Sequence, residues 1–114
     1  MSESIWMPIY IGDYLGDTMH LTTEQHGAYL LLIMHYWRSG PIKANEATIM
    51  AITRLDAQAY ARSINDVLNF FTMKDGCYRH KRVEAEKRKA NENQKTNAER
   101  AKKAAQARWK NHEK

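Results

Sequence analysis

Residues 10–40 read YIGDYLGDTMHLTTEQHGAYLLLIMHYWRSG. They hold the longest apolar run of the chain, Ala28 to Met34, followed directly by Tyr36 and Trp37. Both ends of a helix are marked. Thr22 is a good N-cap and Gln25, three residues on, completes a capping box, each side chain satisfying a backbone N–H that the first turn leaves orphaned. Gly40 and Pro41 stop it, because Gly accepts the left-handed conformation and Pro cannot continue a helix. The interval is roughly 17 residues, about 25 Å at 1.5 Å per residue. Ala28, Tyr29, Leu30, Leu31, Leu32, Ile33 and Met34 cover every side of it, and a helix apolar all round is either buried or spans a membrane. The apolar run is far short of the ~20 residues a bilayer needs, and His26, His35 and Arg38 flank it. It is expected to be the central helix of a small soluble core.

Upstream, residues 1–5 read as a loose terminus. Trp6 to Ile11 is aromatic and β-branched, an extended segment that Pro8 confines to an edge. Paired with a later hairpin, it would supply a third strand. Gly12, Asp13, Gly16 and Asp17 punctuate the approach to the central helix, with Tyr14, Leu15, Met19 and Leu21 expected to pack on it.

Downstream, Asn45 caps a short helix running to about Thr53. Ala47, Met50 and Ala51 recur in it at helical spacing, with Ile49 and Ile52 beside them. Arg54-Leu55 make a turn and Asp56 caps the next helix. Tyr60, Ile64, Val67, Leu68 and Phe71 line one face of that helix; Gln58, Arg62, Asn65, Asp66 and Asn69 line the other. Two short helices joined this way are a helix-turn-helix. Phe70–Met73, the turn Lys74-Asp75-Gly76 and Cys77–Arg82 then read as a β-hairpin, since a tight turn favours Asp-Gly for its positive φ angles. The expected fold is mainly α (α+β), a winged helix: a three-helix core with a β-hairpin wing over residues 1–82. A basic helical or partly disordered tail, residues 83–114, follows. The tail is rich in helix formers, with four-apart pairs Glu84–Arg88 and Glu99–Lys103 and a thin stripe of Ala98, Ala101, Ala105 and Trp109.

The chain has 114 residues, 43% hydrophobic, which suits one domain with a modest core. Its single cysteine, Cys77, rules out an internal disulfide and fits a reducing compartment. No basic stretch leads into an apolar one at the start, so no secretory leader is expected, and the expected location is the cytoplasm of a bacterial host. The net charge of +5 is unevenly placed. Residues 1–79 carry 6 Lys/Arg against 8 Asp/Glu, a net of −2, and residues 80–114 carry 12 against 5, a net of +7. A slightly acidic body with a basic tail points to a polyanion partner for the tail. Nucleic acid comes first. An anionic membrane comes second, and the tail lacks the apolar face that interfacial helices need.

The candidate phosphate contacts are Lys74, Arg79, Lys81 and Arg82 on or beside the wing, with Lys87, Arg88 and Lys89 after it, because Lys and Arg bind phosphate through counterion release. The plain alternative is a solvated surface. Arg54, in the turn of the helix-turn-helix, joins them. The helix from Asp56 would enter the major groove, where Arg62, Asn65 and Asn69 suit base edges. Asp66 opposes phosphate there, and a structural or protein-binding helix is the competing reading. Asp13, Asp17, His20, Glu24, His26 and His35 match no metal motif. His26 and His35, nine apart, face opposite sides of a helix. Caps, turns and packing account for them. Cys77 reads as a packed small residue, and Tyr29, Tyr36 and Trp37 as core rather than a stacking platform. Trp109 is either a stacking residue or an anchor on a partner subunit. No catalytic, cofactor or metal site is expected, since no nucleophile elbow, phosphate loop or metal motif is present.

Two stretches, YIGDYLGDTMHLTTEQHGAYLLLIMHYW (residues 10–37) and VLNFFTMKDGCYRHKRV (residues 67–83), resemble the YdaU-like family of small phage and prophage proteins, described as being of unknown function. The segment KKAAQARWK (residues 102–110) is similar to the basic segment ending in Arg-Trp that such proteins carry. Residues 42–62 match least. The resemblance implies a winged-helix role in a phage replication module, akin to replisome organisers, initiation or helicase-loading proteins, and no catalytic residue. The partners expected are DNA, duplex or single-stranded, a second copy of the chain, and a replication protein such as a helicase or its loader. The alternative is a protein–protein module without strong DNA binding.

Overall fold

The computed structural model describes residues 6–112. Helix α1 spans Ile11–Asp17, α2 Thr23–Ser39, strand β1 Ile42–Lys43, α3 Glu46–Thr53, α4 Ala57–Leu68, β2 Thr72–Lys74, β3 Cys77–Arg79 and α5 Lys81–His112. The result is mainly helical with one small three-stranded antiparallel sheet, in the order β1-β3-β2. The chain divides into a unit ending at Glu84 and a second beginning at Ala85.

The central helix forms as its termini dictate. The Gln25 N–H donates to Thr22 Oγ1 at 3.2 Å, the Thr22 N–H donates to Gln25 Oε1 at 2.8 Å, and Gly40 ends the helix at φ 87° with its N–H on the Tyr36 carbonyl. Such a cap is worth about 1 kcal/mol. Leu32 is wholly buried, and Ala28, Tyr29, Ile33, Tyr36 and Trp37 are buried with it. Burial does not extend round the helix: Met34 is 46% exposed and Leu30 and Leu31 are half-buried. Helices α3 and α4 pack against the buried side, contributing Ile49, Ile64 and Val67.

The third strand comes from a different place than expected. Trp6 to Tyr10 has no regular structure and Ile11 opens a helix. The strand is Ile42–Lys43, just after Pro41, with Ile42 opposite Tyr78 and Lys43 opposite Cys77. Two glycines and two aspartates read as turn punctuation. Gly costs about 1 kcal/mol in a helix, yet α1 forms because Tyr14 docks it. The Tyr14 ring stacks on Tyr29 with centroids 5.9 Å apart, and its hydroxyl hydrogen-bonds His26 Nδ1 at 2.8 Å. Leu21 is buried as expected, whereas Leu15 and Met19 do not pack and are 59% and 86% exposed.

Helix α3 starts at the Asn45 cap but turns a different face inward. Ile49 and Thr53 are buried, Ala47 and Ala51 exposed. Its sequence is apolar at most positions, so spacing alone does not fix the phase; the larger Ile49 gains more by burial than an alanine. Helix α4 starts at the Asp56 cap and stops at Leu68, and Phe71, past its end, remains buried. The hairpin turn is Asp75-Gly76, at φ 53° and 75°, with Met73 opposite Tyr78 and Lys74 opposite Cys77. Its second strand ends at Arg79 rather than Arg82. His80 switches the chain to helix: its carbonyl accepts the Glu84 N–H and its Nδ1 accepts the Val83 N–H. Lys81 and Arg82 therefore lie in the first turn of α5, not on a strand. Glu84, expected opposite Arg88, pairs with Arg79 at 3.1 Å.

The second unit, taken by itself, is helix from Ala85 to His112. Ala98, Ala101 and Ala105 are exposed on it, and the Trp109 side chain lies outside the described residues, as do residues 1–5.

Candidate nucleic-acid interface

Helix α4 presents Gln58, Arg62, Asn65 and Asp66 to solvent, as its spacing predicts, and Asn69, its C-cap, is exposed beside them. Not all of that face is available. Arg62 forms a two-pronged contact with Glu24 in the first turn of α2, Nε to Oε2 at 3.0 Å and Nη2 to Oε1 at 2.6 Å. The Ser63 hydroxyl donates to the same carboxylate. Hydrogen bonds from Arg62 and then Ser63 hold the Glu24 carboxyl below the usual range. Beside it, Gln25 Nε2 donates to the Ser63 carbonyl at 3.3 Å and to Asp66 Oδ2 at 3.0 Å. The start of α2 thus clamps one edge of α4. Asn65 and Asn69 remain, exposed and with no side-chain hydrogen bond among the described residues.

The other expected phosphate contacts are scattered in role. Lys74 is exposed on β2 at the hairpin tip. Arg79 on β3 is half-buried, its Nη1 paired with Glu84 and its Nε buried without a hydrogen-bond partner. Arg82 pairs with Asp17 at 3.2 Å, tying α5 to α1 across a well-exposed contact. The three ion pairs among the described residues therefore each engage one of these arginines: Arg62, Arg79 and Arg82. Lys81 is exposed and in no ion pair among the described residues. Arg54 is exposed in the turn between α3 and α4 and sits at φ 62°, with its N–H on the Met50 carbonyl. In the second unit Arg88 and Lys89 are exposed and Lys87 is half-exposed. Of the expected phosphate contacts in the first unit, Arg54, Lys74 and Lys81 are exposed and in no ion pair among the described residues.

Sequence reasoning missed two residues that shape this region. Glu24 reads as one of the cap, turn and packing residues with no partner named, whereas it positions Arg62. His80 read as one face of a strand. It is buried, its Nε2 lies 2.7 Å from the Tyr29 hydroxyl, and its ring meets Phe71 edge-on at 5.0 Å. Burial, and then the nearby Arg82 charge, lower its pKa. No sequence signal marks it: His is not among the preferred N-cap residues, and the Val83 N–H on its Nδ1 is a contact that only the fold shows.

Among the described residues no group of three or more His, Cys, Asp or Glu side chains is placed to hold a metal ion. Nor is any helix among them long and apolar enough to cross a membrane. His20 stacks on Phe70 and His26 bonds Tyr14, which gives both packing roles.

The chain is 41% identical over 85 residues to "Uncharacterized protein YdaU" from Escherichia coli (strain K12). That match takes in 74% of this chain and 29% of the relative, so the chain spans less than a third of the relative's length. No solved structure matches significantly. A family model described as "Protein of unknown function (DUF1376)" matches residues 5–87, which take in nearly all of the first unit and end just past it, and the chain belongs to that family.

Proposed function

We propose that this protein is a winged-helix nucleic-acid-binding protein of a phage or prophage replication module. The order α2-β1-α3-α4-β2-β3, with β3 between β1 and β2, supports reading α3 and α4 as a helix-turn-helix and the hairpin as its wing. The observation that carries nucleic-acid binding is the placement of charge. Of 18 Lys and Arg, 12 lie in residues 80–114, beginning where the hairpin ends. Lys74 at the hairpin tip, Lys81 and the cations of α5 grip phosphates, while Asn65 and Asn69 offer the base-reading groups. The replication setting rests on the resemblance carried by residues 10–37 and 67–83.

A fluorescence anisotropy titration of labelled duplex and single-stranded DNA at two salt concentrations tests the reading. Affinity is expected to fall steeply with salt, by a slope of about 0.9 per phosphate neutralised on duplex, and to fall sharply on charge reversal at Lys87, Arg88 and Lys89. Absent or salt-insensitive binding removes it.

A second reading is favoured by one observation. Trp6, Ile9, Tyr10, Ile11, Leu15 and Met19, all in or next to α1, are exposed, and apolar surface that is contiguous marks interaction sites. On that reading the body is a protein-interaction module, and a stable dimer by analytical ultracentrifugation supports it.

A further inference from the structure

Helix α2 poses a physical question that its own core does not answer. Its sequence is apolar on all sides, the pattern of a fully enclosed helix, yet one flank is not enclosed. Met34 is 46% exposed and Leu31 half-exposed. Between this flank and α3 runs a groove of about 480 Å³, open to solvent. Leu31, Met34, Ala51 and Ile52 form its apolar lining, and Arg38 and Arg54 are its cations; no carboxylate lines it. Both arginines are exposed and in no ion pair among the described residues.

We propose that this groove is the docking site for an acidic amphipathic helix of a partner protein. The apolar lining supplies the contact area and the two guanidinium groups supply the charge preference. Leu31 to Arg38 covers two turns of α2, about 10 Å. That length matches the i, i+3/i+4, i+7 anchors by which a helix lies in a groove. A helix suits an open groove because its backbone hydrogen bonds are already made. Arg38 and Arg54 also sit at the ends of α2 and α3, where a cation offsets the helix dipole. That role explains the charges but leaves the apolar strip between them uncovered. Arg54 occupies a left-handed position that Gly or Asn fills more cheaply, so the cation is kept there at some conformational cost. The inference is independent of nucleic-acid binding, since of the groove residues only Arg54 belongs to that reading.

The test uses the full chain and a fluorescein-labelled synthetic helix of about 14 residues, four turns, with leucine on one face and glutamate elsewhere. Its counterpart carries lysine for glutamate. Binding is read by anisotropy and located by the ¹³C-methyl spectrum of the six methionines. The glutamate peptide is expected to bind and to shift the Met34 methyl. Arg38→Glu with Arg54→Glu is expected to weaken it at least about tenfold, ~1.4 kcal/mol, and to reverse the preference towards the lysine peptide. Arg88→Glu with Lys89→Glu is expected to leave it unchanged. An unmoved Met34 methyl, or equal weakening by the two pairs of reversals, overturns the proposal, because the peptide would then be held by the basic helix. Dodecanoate shifting Met34 where the peptide does not would also overturn it, making the groove an acyl-chain site. If circular dichroism shows the first double variant unfolded, Met34→Asp takes its place and must abolish peptide binding.

Discussion

His80 Nε2 and the Tyr29 hydroxyl lie 2.7 Å apart inside the first unit, joining the end of the hairpin to the middle of α2. The Val83 N–H points at Nδ1, so that nitrogen is the acceptor and Nε2 carries the proton donated to Tyr29. Tyr29 also stacks on Phe70 at 4.7 Å and on Tyr14, and burial pushes its pKa up to about 12. One tyrosine therefore holds α1, the exit from α4 and the start of α5 against the central helix.

Removing that hydroxyl leaves the His80 Nε2–H buried and without its acceptor. Tyr29→Phe keeps the ring contacts and is expected to cost about 1–3 kcal/mol, the usual penalty for an orphaned buried donor. A urea titration followed by circular dichroism measures it, with an unchanged slope expected. A shift of midpoint below the equivalent of ~0.5 kcal/mol would mean the hydrogen bond is not formed in solution.

The same geometry sets a pH dependence. Burial, and then the nearby Arg82 charge, disfavour the His80 cation, so its pKa is lowered in the fold; a proton on Nδ1 would also face the Val83 N–H. Below about 6.5, the ordinary histidine value, the unfolded chain binds a proton that the folded chain does not. Stability is then full above that pH and falls as the pH drops towards the folded value. Urea midpoints at pH 7.5 and 5.5 are expected to differ more for the wild type than for His80→Gln. Parallel behaviour of the two proteins would show that His80 is not the responsible group.

Exposure separates residues that the sequence treats alike. Leu15 and Leu32 both sit in the stretch that fixes the fold, but Leu32 is fully buried and Leu15 is 59% exposed. Leu32→Ala is expected to cost about 2–5 kcal/mol and Leu15→Ala to stay within about 0.5 kcal/mol. Chemical denaturation of both reads the difference. A large loss for Leu15→Ala would mean that α1 buries its outer face on another copy of the chain.

What could be read in advance was local chemistry. Thr22 with Gln25, Asn45, Asp56, Gly40 and Asp75-Gly76 each signal a cap or turn through backbone groups within three or four residues, and each does its expected job. What could not be read depends on partners far along the chain. Ile42 becomes a strand only because Tyr78, 36 residues later, pairs with it. Helix α1 survives its glycines only because Tyr14 finds Tyr29. The candidate site suffered most: α4's exposed face was evident from spacing, but the neutralisation of Arg62 by Glu24 joins residues 38 apart, and no periodicity encodes it.

That last pair gives the most direct trial of the interface. Glu24 holds both prongs of the Arg62 guanidinium, so a base or phosphate must compete with a carboxylate for it. Glu24→Gln removes the charge while keeping an acceptor for the Ser63 hydroxyl. If α4 lies against DNA, the released Arg62 is expected to tighten binding and to steepen the salt dependence by about one phosphate contact, a slope change near 0.9. Arg62→Ala on that background should return both to the wild-type values. If α4 instead faces protein or solvent, neither substitution changes the anisotropy titration, and binding that persists then runs through Lys74, Lys81 and the cations of α5 without the helix-turn-helix.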